Sequence, residues 1–188
     1  MVMAELVERY WTAEDVRALP EDGNRYECID GALLVTPSPR ALHQVACTQL
    51  VRLLLPFVDR HALGDLLWSP ADVELEPGSL VQPDLFVLRT ETGAQIREWR
   101  DIVGLLLAIE VLSPRTARRD RGIKREFYQR VGVEELWIVD LKARLVERWT
   151  PGSDRPEILR DLLAWAPNRA QEPLEIDLPS FFTKVLGD

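Results

Sequence analysis

Three residues of this 188-residue chain have types and spacing that suit phosphate-ester chemistry: Asp84 directly after Pro83, Glu110 inside the most hydrophobic run, and Lys124 further on. A carboxylate in either apolar setting loses hydration without a partner, and one bound cation would settle both charges. Phosphodiester hydrolysis needs charge stabilisation on a non-bridging oxygen, a water of lowered pKa, and in-line placement of that water. A hard cation held by oxygen ligands supplies all three. Mg2+ keeps several waters and takes one or two protein carboxylates, so Asp84 and Glu110 suffice, with the backbone carbonyl of Val111 as a third ligand and Mn2+ as a substitute ion. Lysine is rare here, three residues among 23 basic ones. An ammonium beside the ion would hold the water and stabilise the charge that builds on the phosphate. The bland alternatives are a structural salt bridge from Lys124 to Glu110, or a solvated pairing of Asp120 with Lys124 at i, i+4.

The elements that must position these groups follow from pattern. Thr12 caps a short helix that runs to Leu19, with Pro20 beyond it. Arg25 to Ile29 and Ala32 to Thr36 flank Asp30-Gly31, a dipeptide that tolerates the positive φ of a type I′ turn. Apolar residues at helical spacing mark a long helix from Arg40 to about Val58. Strands follow over Asp65 to Ser69, Ala71 to Glu76 and Val81 to Arg89, and Thr90 to Asp101 reads as a surface loop or short helix. Gly104 to Leu112 is continuously apolar, as a central strand covered on both faces must be. A helix over Ala117 to Val131 stops at Gly132. It carries Lys124 about two turns in, so that folding back on the preceding strand brings the lysine over the carboxylates. A hairpin over Glu135 to Asp140 and Arg144 to Thr150, edge strands near Pro156 to Leu162 and Leu174 to Leu178, and a closing helix over Pro179 to Leu186 complete an α/β (α+β) fold. It has a mixed central sheet flanked by helices and extra β-hairpins, in one domain over residues 1–188.

Composition bounds the partners. The net charge is −8, a global field that repels nucleic acid. Locally, Arg115, Arg118, Arg119, Arg121, Lys124 and Arg125 face one acid, Asp120, and the arginines of this patch are the candidate phosphate-binding residues. Tyr128, one turn beyond Lys124, either steers the lysine, stacks near a phosphate or packs as an ordinary aromatic. Cys28 and Cys47 lack zinc spacing and read as buried free thiols. No run approaches the roughly 18 uninterrupted apolar residues that span a bilayer. The N-terminus, with Glu5 and Glu8, has no secretion-signal pattern, so a cytoplasmic protein without a membrane partner is expected. Trp149, Trp165, Phe181 and Phe182 either form a dimer surface or close the C-terminal part of the fold.

Several ordered blocks resemble the Uma family of bacterial restriction-endonuclease-like proteins: Arg25-Tyr-Glu-Cys-Ile-Asp-Gly31, Pro39 with His43, Val81-Gln-Pro-Asp84, Ile109-Glu-Val-Leu-Ser-Pro114, Asp120 with Lys124 and Tyr128, and Gly132 to Asp140. The resemblance spans roughly residues 21–149. It implies the PD-(D/E)xK nuclease superfamily, a mixed four-stranded core sheet flanked by helices, and Mg2+-dependent cleavage of DNA. Asp84 matches the motif aspartate and Glu110 the second acid. Leu112 stands where the superfamily places lysine, and the Uma-like arrangement supplies the lysine from the next helix, at Lys124. Glu27 matches the family's early glutamate, either a third acid at the metal or a hairpin-pairing residue. His43 either contacts substrate phosphate or a metal-held water, or packs at the helix start. Cutting both DNA strands needs two centres, which implies a homodimer or higher homo-oligomer. Two other functions compete: a non-catalytic nucleic-acid-binding or assembly module on a degenerate nuclease fold, which the charge of −8 favours, and a hydrolase of small phosphate esters.

Overall fold

The structure is a computed structural model that describes residues 9–89, 102, 104–167 and 170–187. Helix α1 (Ala13–Arg17) opens with a capping box: Thr12 Oγ1 accepts from the Asp15 backbone N–H while the Asp15 carboxylate accepts from the Thr12 N–H. Strands β1 (Arg25–Ile29) and β2 (Ala32–Thr36) pair antiparallel with Ile29 opposite Ala32, leaving Asp30 and Gly31 as the two-residue turn at φ 51° and 79°. Both values are positive, as a type I′ turn requires. Helix α2 (Ala41–Arg60) buries Ala46, Leu50, Leu54, Phe57 and Val58 along one stripe. By length and composition it is long and apolar enough to cross a membrane, and in this fold that stripe packs into the core.

Strands β3 (Leu66–Trp68), β4 (Val73–Glu76), β5 (Ser79–Val81) and β6 (Leu85–Leu88) follow. The single strand expected over Val81 to Arg89 is therefore two, in different sheets. Pro83, which has no N–H to give a ladder, lies at the crossover, and Asp84 is the last residue before β6. The polar stretch 90–101 lies outside the described residues. Strand β7 (Leu105–Val111) is buried throughout.

The helix expected over residues 117–131 is not continuous. It consists of α3 (Ala117–Arg119), a widened, kinked turn (Asp120–Lys124) that breaks at Gly122 (φ −104°, ψ −108°), and α4 (Arg125–Arg130). Beyond it come β8 (Glu135–Asp140), β9 (Leu145–Trp149), β10 (Glu157–Leu159), β11 (Leu162–Trp165), β12 (Leu174–Asp177) and α5 (Leu178–Leu186).

Six strands form the central sheet in the order β10-β9-β8-β7-β6-β3, two more than the four-stranded core that the resemblance implied. Strands β7 and β8 run parallel and the other pairs antiparallel, so the sheet is mixed. A smaller sheet has the order β2-β1-β5-β4, and β11 with β12 makes a separate ribbon. Alternation along the strands divides the core. Leu85, Val87, Leu107, Ile109 and Trp137 face α2 and α5, whereas Phe86, Leu88, Ala108 and Ile138 face Phe127 and Tyr128 of α4 and the small sheet. Glu110, between Ile109 and Val111, points to this second side. Trp149, Trp165, Phe181 and Phe182 are all buried, so they close the core and form no exposed dimer surface.

Gly31→Ala tests the hairpin that carries β1. An added Cβ would face a left-handed backbone and the Tyr10 ring, and a loss of about 1–2 kcal/mol is expected. Urea unfolding measures it, and an unchanged midpoint would contradict the turn assignment.

Candidate active site

Five elements converge on one cluster of buried charge. Asp84, at the crossover into β6, and Glu110, in the central strand, are 4% and 3% exposed, and Lys124 in the widened turn is 3% exposed. Lys124 Nζ lies 2.7 Å from Glu110 Oε1 and 2.8 Å from Glu27 Oε1. Tyr128, one turn further along, donates its hydroxyl to Glu110 Oε1 at 2.7 Å. The Gln82 backbone N–H donates to the same Glu27 oxygen that Lys124 touches, at 2.8 Å. Glu27 thereby ties β1 to the crossover segment.

Asp84 is held separately. Its Oδ1 accepts from Arg25 Nη1 at 2.8 Å, and its Oδ2 accepts from the Val111 backbone N–H at 2.8 Å and contacts His43 Nε2 at 2.9 Å. A carboxylate can only accept, so His43 carries a proton on Nε2. Its Nδ1 lies 3.7 Å from Cys47 Sγ. Burial pushes the Cys47 thiol up to about 12, so it remains protonated.

The electrostatics of the two acids diverge. Burial alone would raise Asp84, but hydrogen bonding and charge from His43 and Arg25 outweigh it and hold the carboxyl at about 2. Glu110 is pushed up to about 8: burial dominates, Lys124 opposes it, and Asp84, Asp120 and Glu27 add like charge. Lys124 is shifted further up from an already basic value, because Glu110, Glu27 and Asp120 overcome the cost of its burial. Asp120 is raised as well, by burial against the pull of Lys124. Among the described residues, four buried carboxylates thus share Arg25, Lys124 and the His43 ring beside Asp84.

A pocket of about 520 Å³ opens over this cluster, and Arg25, Glu27, His43, Asp84, Glu110 and Lys124 all line it. Every acid singled out in the sequence meets there with Lys124 and His43. Val111 also lines it and turns its N–H to Asp84. Tyr128 is fully buried against Glu110 and stacks on no exposed surface.

The arginine patch divides. Arg119 donates to Val35 O and Thr36 Oγ1 on β2, both at 2.9 Å. Arg121 pairs with Glu147 and Asp140 at 2.6 and 2.8 Å. These contacts fasten the helical segment to its neighbours, so the guanidinium groups of Arg119 and Arg121 are already engaged within the fold. Arg118 is exposed but outside the pocket wall, whereas Arg115 is exposed and within it.

Arg25 and Asp120 were not among the expected site residues. Arg25 had a signal: it stands two positions before Glu27 on a strand, so both side chains share a face. Asp120 had one too, four residues before Lys124 on a helical segment. Among the described residues, no three His, Cys, Asp or Glu side chains are gathered as a ready metal-binding set. The donor chemistry nonetheless fits a hard divalent ion: two carboxylates from adjacent strands, in a cluster with more acids than cations, meet what Mg2+ asks of a protein.

A crystal structure described as a "putative nuclease belonging to DUF820", from Anabaena variabilis, matches with a TM-score of 0.74 at 20% identity, covering 93% of this chain and 98% of that one. At that identity the likeness carries the fold. None of the curated proteins matches the chain. A family model described as "Uma2: Putative restriction endonuclease" matches residues 13–179, and the chain belongs to that family.

Proposed function

We propose that the protein hydrolyses DNA phosphodiester bonds with Mg2+, or Mn2+ in its place, held by Asp84 and Glu110. One observation carries this reading: among the described residues, four buried carboxylates gather at the base of a single pocket around Arg25, Lys124 and His43, so acids outnumber positive groups there. A structural ion-pair network has no use for surplus acid, because unmatched buried charge is destabilising. Family membership agrees with a nuclease.

The ion would neutralise a phosphate oxygen and lower the pKa of a water. The chain's own residues do the positioning. Arg25, His43 and the Val111 N–H fix both oxygens of Asp84. Tyr128 fixes Glu110. Lys124, held by Glu27 and Glu110, supplies a positive charge at the pocket floor, where negative charge grows as the phosphate is attacked. Arg25 keeps a buried Nε–H with no acceptor among the described residues, a donor that a phosphate oxygen would satisfy. The lack of a gathered three-ligand set favours a second reading, a nucleic-acid-binding module without turnover.

Cleavage of plasmid and of single-stranded DNA in Mg2+ or Mn2+ separates the two. Asp84→Asn and Glu110→Gln should each reduce the rate by about 100-fold or more, and unimpaired cleavage in both would remove the mechanism. Running bis-p-nitrophenyl phosphate beside the plasmid distinguishes a small-ester hydrolase.

Stability offers an independent check. Because the Glu110 pKa is raised on folding, the stability it contributes is full below the ordinary value of 4.5 and is lost as pH rises to about 8. Asp84 acts in the opposite sense, contributing above 3.8 and losing that contribution as pH falls toward about 2. Without divalent ions, urea unfolding should show the protein weaker at about pH 8.5 than at about pH 5.5, and Glu110→Gln should flatten that difference. An equal decline in both proteins would exclude Glu110 as its source.

A further inference from the structure

Most of the arginines are already engaged within the fold. Arg17 pairs with Glu74, Arg121 with Asp140 and Glu147, Arg130 with Asp30 and Glu76, and Arg148 with Glu157. Three cations on the pocket wall differ. Arg40 precedes α2, Arg115 follows β7 and Lys142 lies in the turn between β8 and β9. All three are exposed, and among the described residues none makes an ion pair. They come from separate loops yet border the same opening, in a chain whose net charge is −8.

The same wall carries apolar side chains, with contributions from Leu42, Leu112, Leu141 and Leu186. The space, about 520 Å³, falls within the range of small-ligand sites, about 300–1,000 Å³. A rigid duplex carries its phosphates along the flanks of a wide rod. It would meet the exposed rim and leave the carboxylates, which are almost wholly buried, out of reach. An unpaired strand can bend one phosphate to the floor, lay a neighbouring base against the leucines, and keep its flanking phosphates on the rim.

From these features we infer that Arg40, Arg115 and Lys142 form a phosphate-binding rim that selects an unpaired stretch of DNA and admits it to the acidic floor. The inference rests on the phosphodiester reading of that floor and names its substrate class. The attraction is electrostatic, as in other single-strand grooves, and base contact is supplied by aliphatic side chains where such grooves commonly use aromatic ones. A centre that takes one unpaired strand also needs no second centre opposite it.

The test measures binding apart from cleavage. Fluorescence anisotropy would follow a labelled mixed-sequence strand of about 15 nucleotides, a length near the footprint of single-strand grooves, and its duplex, both with Ca2+ to hold hydrolysis off. The triple variant Arg40→Gln, Arg115→Gln, Lys142→Gln changes only exposed side chains. The single strand should bind at least about tenfold more tightly than the duplex. The variant should lose about tenfold or more of that affinity, with its salt dependence shallower by about 2 in log–log slope, since each phosphate contact on a single strand contributes about 0.7. Equal or tighter duplex binding overturns the inference, as does a variant that holds the strand like the parent. Cleavage in Mg2+ is scored separately. Selective strand binding without cleavage of either substrate supports the rim and refutes the hydrolase, whereas duplex cleavage unaffected by the variant refutes the rim and leaves the hydrolase standing.

Discussion

The ammonium of Lys124, enclosed between Glu27 and Glu110, is the contact on which the pocket depends. Removing one partner of a buried pair costs about 3–5 kcal/mol, because the remaining charge is left without water or counter-ion. This gives the contact authority over the backbone. It draws β1 of the small sheet, β7 of the large sheet and the widened turn after α3 to a common point. The break at Gly122 falls between Asp120 and Lys124, the two residues of the turn that are buried. A kink of this kind re-aims side chains that a regular helix would direct elsewhere.

Much of this was legible in residue order. The alternation of β1, the continuous apolar run of β7 and the Asp30-Gly31 turn each follow from strong local rules, and the structure has all three. The division at Pro83 was less legible, because both halves of Val81 to Leu88 are apolar and nothing local says that they belong to different sheets. The break at Gly122 was obscured in another way: one glycine inside a helical pattern is usually tolerated. Arg25 is one of 20 arginines in the chain, and its type alone does not mark it. Its pairing with Asp84 joins residues 59 positions apart, a separation that no periodicity reports.

The charge of the chain has to be read at two scales. As a sum of −8 it argues against polyanions. As a distribution it does not, because the patch after β7 that looked like a binding surface is largely spent on Val35, Thr36, Asp140 and Glu147. The cations left unpaired at the pocket come from loops distant in sequence, and only the fold assembles them. Counting basic residues along a segment therefore cannot tell which arginines the fold has already engaged, because those contacts join distant positions.

The acids at the pocket floor place opposing demands on stability. Arg25 and His43 satisfy Asp84 so well that it stays ionised, while Glu110 is forced upward by burial and by three other carboxylates despite the ammonium beside it. A fold selected for stability alone would replace one of these acids with an apolar residue, since well-packed apolar substitutes for buried ions are often neutral or stabilising. Retaining the surplus is intelligible if the site is completed by a positive partner from solution, which an overcharged cluster would attract more strongly. On this view the unfavourable charge of the floor and its capacity for chemistry have the same electrostatic origin, an instance of the trade between stability and function seen where active sites carry unfavourable charge.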